Sequence, residues 1–490
     1  MTRLRYRNYG TATAPDPDPR NLTVGQVHLG LGAFHRAHQA VYTEDAIRHT
    51  GDTRWGIAAF TQRSGAAADR LGPQDGLYTV VERGAGAVSP RVVGVLREAR
   101  NAAADPAAVI ERICDPDVHV VTLTVTEKGY RRDPVTGKLC LDDPEVRADL
   151  AAPAPRTVPA LLARAIARRV ATGAGPLTVI SCDNLPDNGH LLRGLVRDFA
   201  EAAGLDGVHD AFDGPTPAAT FPSTVVDRIV PATTDDDIAG LERHVGVRDE
   251  SPVICEPFRQ WVIEDRFAGC SPAWSAVGAQ LVDDVMPWEQ LKLRMLNAAH
   301  SMLAYLGLRL GHRSIADAVA DPVLADVCLR LFAEDVQPSL AAPPGVDVAG
   351  YGESVLARFG NIALPHTTIQ VASDGSQKIG PRLLSTVSAR AAQGATASWA
   401  ALGVAAWALH VIDPVDAAGR PIALADPRAD ELREKVAGAT VPVAVRCLVT
   451  DPTIVGDEVS GDPEFTERVV DFADSLDRHG SAALQAEVRP

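Results

Sequence analysis

Three polar residues stand out in the otherwise apolar stretch PWEQLKLRMLNAAHSMLAYLG, residues 287–307. At ~100° per residue, Lys292, Asn297 and His300 fall on one broad face of a helix. Their neighbours are Leu, Met and Ala, so a lysine near the start of this helix is partly desolvated and close to the positive end of the helix dipole. Both effects favour the neutral amine and lower its pKa from ~10.4 toward the working pH. Such an amine is a usable base. It can take the proton of an alcohol while a hydride leaves for a nicotinamide, and an Asn amide can donate to the oxygen that becomes anionic. The competing reading is a snorkelling surface lysine on an ordinary amphipathic helix beside a satisfied histidine.

A nicotinamide needs a nucleotide site, and one candidate lies near the start of the chain. From Val24 the sequence runs VGQVHLGLGAFHRAHQAVYTEDAIRHT: a short apolar strand, a glycine-rich turn, then helical periodicity. This is how a dinucleotide-binding βαβ unit begins. Gly30 permits the tight turn, Gly32 lets the backbone approach a pyrophosphate, and Ala33 and Phe34 open the helix. The third glycine of the usual fingerprint is missing, so a plain strand-to-helix turn fits as well. The second strand ends in Phe60-Thr61-Gln62-Arg63-Ser64 with no acidic residue to hold a ribose, and Arg63 and Ser64 are placed to face a 2′-phosphate. His35 and His38 share one helical turn but lack a third ligand nearby, which favours packing or phosphate contact over a metal.

Other chemistries are absent. No tyrosine is followed four residues later by lysine, no Gly-His-Glu zinc signature occurs, and seven cysteines are scattered without a C-x-x-C pair. They read as reduced thiols, and no metal site is implied. Hydrophobic residues at 46% and charged residues at 22% are ordinary for a folded soluble protein. A formal charge of -16 argues against nucleic acid and anionic membrane as partners, since no basic stripe offsets it. The longest apolar stretch, Trp399 to Ile412, is shorter than the ~20 residues of a spanning helix and reads as a buried one. The amino terminus has charges but no apolar h-region, which makes a cytoplasmic location the default expectation.

The elements that must position these residues follow from periodicity. Strand-like runs recur at 55–60, 77–81, 91–95, 118–125 and 176–182 with helical stretches between several of them, which argues for a mostly parallel sheet covered on both faces. From about Pro287 Ala/Leu-rich helical segments dominate. The expected organisation is an α/β Rossmann-type domain over 1–286, with 1–22 as an extended arm, and a mostly helical domain over 287–490.

Several segments in order, HLGLGAFHRAHQA, PQDGLYTVVER, TVTEKGY, SCDNLPDNG, FPSTVVDRIVPAT, EPFRQWVIED, LKLRMLNAAHSMLAYLG and DGSQK, resemble the polyol-specific long-chain dehydrogenases, a family that includes mannitol 2-dehydrogenases and fructuronate reductases. The resemblance runs from about Val27 to Arg382. It implies a metal-independent NAD(P) enzyme, with NAD(H) as cofactor and NADP(H) as the alternative, acting on a small sugar alcohol or hexuronate without a partner protein. It implies Lys292 as general base, with Asn297 and His300 completing its motif. Asn188 would pair with Asn297 as oxyanion hole, Asn184 being the weaker choice and otherwise a cofactor contact. Asp227 resembles a substrate-contacting aspartate, Glu289 a proton-relay carboxylate, and Glu127 a residue at the strand end where such sheets bind the cofactor. The segment after Gln377 departs by a residue from the family pattern, which leaves the roles of Lys378 and Arg382 open.

The motif strings lie closer to the hexuronate branch, so the leading expectation is D-mannonate/D-fructuronate interconversion. D-mannitol/D-fructose is the alternative, and a non-catalytic nucleotide-sensing protein is the alternative of another class. A hexuronate carboxylate needs a permanent cation, for which Arg259, Lys378 and Arg382 are the candidates.

Overall fold

The apolar run after Thr23 forms β1 (Val24–Leu29), buried from its second residue on. The computed structural model describes residues 2–84, 88–133, 136–205, 207–213, 216–364 and 366–488, which divide into two units, Met1–Val285 and Met286–Pro490.

In the first unit β2 (Gly56–Thr61), β3 (Tyr78–Glu82), β4 (Ser89–Val93), β5 (Leu96–Asn101), β6 (Val120–Leu123), β7 (Leu177–Ser181) and β8 (Ala219–Thr220) follow in sequence, then β9 (Thr224–Asp227), β10 (Val253–Cys255), β11 (Gln260–Glu264) and β12 (Gln280–Val282). Six of these make a wholly parallel sheet in the order β5-β2-β1-β6-β7-β8. Its strands alternate between two cores, as a period of two requires. Val27, Leu29, Phe60, Val121 and Leu123 join the helices 158–172 and 188–202 on one face, while Ile57, Ala59, Val120 and Ile180 pack with the helix Gln39–Thr50 on the other.

Two of the expected strands belong elsewhere. β3 and β4 pair antiparallel and, with β10, form a separate three-stranded sheet, and β9, β11 and β12 form another. The edge strand that takes their place, β5, has the sequence LREARN and only Leu96 buried. Its charged face is what an exposed edge needs, and it hides the strand from a hydrophobicity reading. The amino-terminal stretch is docked: Leu4 is buried, and bridges join Arg3 to Arg248 and Thr13 to Arg91.

The second unit is helical. Its centre is the helix Ser398–Ile412, buried without interruption from Trp399 to Val411, as a helix apolar all round must be. It packs against the helices Ala298–Arg309, Val441–Val449 and Pro463–His479. Among the described residues no helix is long and apolar enough to cross a membrane.

Candidate active site

The lysine helix is not a regular α-helix. Met286–Leu291 is α-helical, Lys292–Asn297 is a π-turn, and Ala298–Arg309 resumes the α-helix. A π-turn closes its hydrogen bonds five residues apart, so it brings Lys292 and Asn297 into one row. An uninterrupted α-helix would separate them by about 140°. Both are buried, and the amide nitrogen of Asn297 has no hydrogen-bond partner among the described residues. Leu291, Met295, Ala298 and Met302 hold the segment to the core. Arg294, buried within the turn, pins it by donating to Thr386 Oγ1 at 2.9 Å, to Ser339 O at 2.9 Å and to Ser339 Oγ. Burial brings its pKa down to about 10.

His300 stacks on Phe359 with ring centroids 4.8 Å apart, and its Nε2 is buried without a partner. Burial, and then the positive charges of Arg382, Lys378 and Arg358 with His366, hold its pKa well below the ordinary value, so the ring is neutral. Arg382 lies in a second π-turn, Gly380–Leu384, packed against the first. Its Nη1 donates to Ser301 Oγ at 2.9 Å and to the carbonyl of Asn297 at 3.4 Å. No carboxylate pairs with it among the described residues, and burial lowers its pKa. Lys378 donates to the carbonyl of Ser373 at 2.6 Å and lies 3.8 Å from Asp374. Glu289 is half-buried on the helical turn before Lys292.

In the first unit the sheet order reverses at β1, whose neighbours are β2 and β6. Ligands of such sheets sit at the carboxyl ends of the strands flanking that point. There Gly30 has φ +100°, and a Cβ on it would lie 2.0 Å from the carbonyl oxygen of Thr124, so only glycine fits. Gly32 caps the short helix Ala33–Ala37, and Phe34 stacks on His38. The position of the missing third glycine is taken by His35, which lies flat on His28 of β1 with centroids 3.3 Å apart. Burial brings His28 down to about 3 and holds His35 well below its usual value, so the stack is of two neutral rings. His38 Nε2 donates to Gln260 O at 2.7 Å. No group of three His, Cys, Asp or Glu among the described residues could hold a metal.

Beyond β6, Thr126 takes φ +65°, a strained conformation for a β-branched residue, and the turn Glu127–Tyr130 follows with Glu127 exposed. Asp183 holds this turn: it accepts from the backbone N–H groups of Val125 at 3.0 Å and Thr126 at 2.8 Å, and from Tyr130 Oη at 2.8 Å. Neither Asp183 nor Arg294 was marked out by sequence reasoning, although for Arg294 a charged residue within an apolar run was the available signal.

Asn184 is exposed just past β7, whereas Asn188 is buried and committed. Its amide nitrogen donates to Asp183 O at 2.9 Å and Thr224 O at 3.0 Å, and its oxygen accepts from Thr224 N at 2.9 Å. Gly189 permits this: a Cβ there would lie 2.4 Å from Phe221 O. Both amide hydrogens of Asn188 are thus engaged, so donating to a further oxygen would require releasing a carbonyl. Asp227 ends β9 opposite Gln260 and is buried. Arg259 is also committed. Its Nη2 meets Asp45 Oδ2 at 2.7 Å and its guanidinium lies over Tyr42, 4.4 Å from the ring centre. Asp45 also pairs with Arg48 and Arg91. Burial pushes its carboxyl up, but Arg91 and Arg259 outweigh this and hold it below the usual range.

A parallel sheet with a glycine turn at its switch point defines a Rossmann-type nucleotide-binding unit, here followed by a helical unit that carries a buried lysine. The chain belongs to the mannitol dehydrogenase family: the mannitol dehydrogenase Rossmann domain matches residues 24–276 and the mannitol dehydrogenase C-terminal domain matches 284–477. It is 37% identical to the D-mannonate oxidoreductase of Escherichia coli (strain K12) over 95% of this chain and 96% of that one. It is 37% identical to the polyol:NADP oxidoreductase of Gluconobacter oxydans over 87% and 88% of the two chains. The structure of Pseudomonas fluorescens mannitol 2-dehydrogenase, a ternary complex with NAD and D-mannitol, superposes with a TM-score of 0.87 at 34% identity and covers 100% of both chains.

Proposed function

We propose that the protein is an NAD(P)-dependent, metal-independent oxidoreductase that interconverts a sugar alcohol or aldonate with its 2-keto sugar. The observation that carries this reading is the buried, unpartnered amide of Asn297 in one π-turn row with the buried Lys292. A buried donor left without a partner costs about 1–3 kcal/mol, and it persists most simply where a ligand oxygen satisfies it. The dinucleotide, when bound, supplies the hydride acceptor. The residues that fit it are Gly30 and Gly32 at the switch point and Gln62 and Arg63 beyond β2, where the amide nitrogen of Gln62 is buried without a partner. In the oxidative direction Lys292 takes the hydroxyl proton as the carbon gives up hydride, and the N–H of Asn297 stabilises the negative charge developing on that oxygen. His300, neutral and stacked, orients the substrate, and Glu289 passes on the proton that Lys292 collects.

The best-supported substrate pair is D-mannonate/D-fructuronate. Among the described residues Arg382 is a desolvated guanidinium without a carboxylate partner, beside Asn297, and a hexuronate carboxylate is the charge that suits it. Lys378 adds to the positive field bearing on His300. The competing pair is D-mannitol/D-fructose, which the neutralisation of Arg259 by Asp45 favours. Reduction of fructuronate, tagaturonate and fructose with NADH and with NADPH separates the readings. The proposal expects fructuronate to give the highest kcat/KM, equal or better reduction of fructose would transfer the assignment to mannitol, and turnover of none of them would overturn it.

A further inference from the structure

A cavity of about 550 Å³ opens in the first unit, reached from the carboxyl ends of β2, β5 and β6. Gln62 and Arg63 line it from the end of β2, Ala102 and Ala103 from the end of β5, and Arg131 and Arg156 from the turns beyond. Its charges do not balance. The acids on the wall are Glu145 and Asp149. Glu145 is paired with Arg131, which also meets Asp143 at 3.2 Å. Asp149 turns its oxygens into the main chain and accepts from Arg156 N at 3.0 Å, Thr157 N at 2.7 Å and Thr157 Oγ1 at 2.6 Å. The side chains of Arg63 and Arg156 are exposed and make no hydrogen bond or ion pair among the described residues. The buried amide nitrogen of Gln62 is unpartnered as well.

Three sets of N–H donors, two of them cationic, thus line one hollow just past the strand end where a dinucleotide's adenosine ribose sits in sheets of this kind. A ribose 2′-hydroxyl wants a carboxylate there. None is available: β2 ends in Thr61, Asp69 on the next helix does not line the cavity, and the two acids that do are committed. Ser64 is not among the residues that line the cavity, and its hydroxyl accepts from Ala66 N. We propose that this cavity receives the 2′-phosphate of NADP(H), held by Arg63 and Arg156 with Gln62, so that the protein binds NADP(H) at least as tightly as NAD(H). The inference deepens the nucleotide reading above and rests on it. A phosphate dianion is met by the planar forks of two arginines whose charge nothing else on the wall cancels.

Titration calorimetry of the full chain with adenosine 2′,5′-bisphosphate and with 5′-AMP tests this without turnover, since the two differ only in the 2′-phosphate. The expected result is binding of the bisphosphate about tenfold or more tighter than of 5′-AMP, with the advantage weakening as salt is raised. Arg63→Ala and Arg156→Ala, both at exposed positions, should each remove most of that advantage while the melting temperature stays put. Equal binding of both nucleotides, or a preference for the bisphosphate that survives loss of both arginines, would overturn the proposal and leave the nucleotide site standing. Binding of neither would overturn the nucleotide reading itself, and the proposal with it.

Discussion

Two buried asparagines, one in each unit, occupy opposite ends of a scale. Asn188 has both of its amide hydrogens and its oxygen engaged with the backbone of Asp183 and Thr224, whereas the amide nitrogen of Asn297 is buried with no partner. Residue type and burial are the same, so neither distinguishes a scaffold from a reactive group. What separates them is unspent hydrogen-bonding capacity. The two arginines show the same contrast: Arg259 is neutralised by Asp45, while Arg382 has, among the described residues, only neutral acceptors. In the first unit Asn188 and Asp183 are spent on holding the loops at the strand ends, whereas the second unit carries Lys292, Asn297 and Arg382 on two adjoining π-turns.

The strongest attempt to break this contrast is Lys292→Ala. If Lys292 is the general base proposed above, its loss should lower turnover by about 10²–10⁴-fold while nucleotide binding, measured by calorimetry, is unchanged. Asn297→Ala should cost about 10²–10³-fold in kcat with little loss of melting temperature, because the amide gives up no hydrogen bond of the resting fold. Arg382→Leu sharpens the substrate side. It should reduce kcat/KM for fructuronate by about 10²-fold and for fructose by much less, whereas Arg259→Leu should weaken both alike. Asn188→Ala reverses the pattern of Asn297: it should remove about 3 kcal/mol of stability in denaturant titration, since a backbone N–H and two carbonyls lose their partner. If Asn188→Ala instead kept its stability and lost turnover as Asn297→Ala does, the division between scaffold and donor would be wrong.

The smallest effect concerns Glu44, buried in the first unit, where burial, partly offset by Arg91 and the N–H of Gly94, pushes its carboxyl up to about 7. The folded state then keeps a proton that the unfolded chain releases at its ordinary pKa. The contribution of Glu44 to stability is therefore fully present at low pH and is lost as pH rises between about 4.5 and about 7. Glu44→Gln should remove that slope, changing little at pH 5 and gaining about 1–3 kcal/mol at pH 8. An unaltered pH dependence of the melting temperature would count against it.

Much of this was legible in the sequence. The Gly30 turn, the α/β-to-helical change and the Lys292 motif all announce themselves through local spacing. The π-turn does not, because a fixed 100° per residue has no way of registering one extra residue, and it left Lys292 and Asn297 farther apart than they are. β5 went unread because an edge strand carries a charged face, and 77–81 and 91–95 were misplaced because a hydrophobic run says nothing of which sheet it joins. The engagement of Asn188 with Thr224 and of Arg259 with Asp45 spans 36 and over 200 residues of chain, beyond the reach of any local pattern.

The claim that Lys292 is the base is tested most directly by the pH dependence of kcat/KM for alcohol oxidation, measured in the wild type and in Lys292→Ala. The account predicts a single basic limb in the wild type that reports one ionisation and levels off above it. In the variant that ionisation should vanish, and the residual rate should rise in proportion to hydroxide across the whole range. The same ionisation persisting in Lys292→Ala, with turnover near wild type, would show that another group takes the proton.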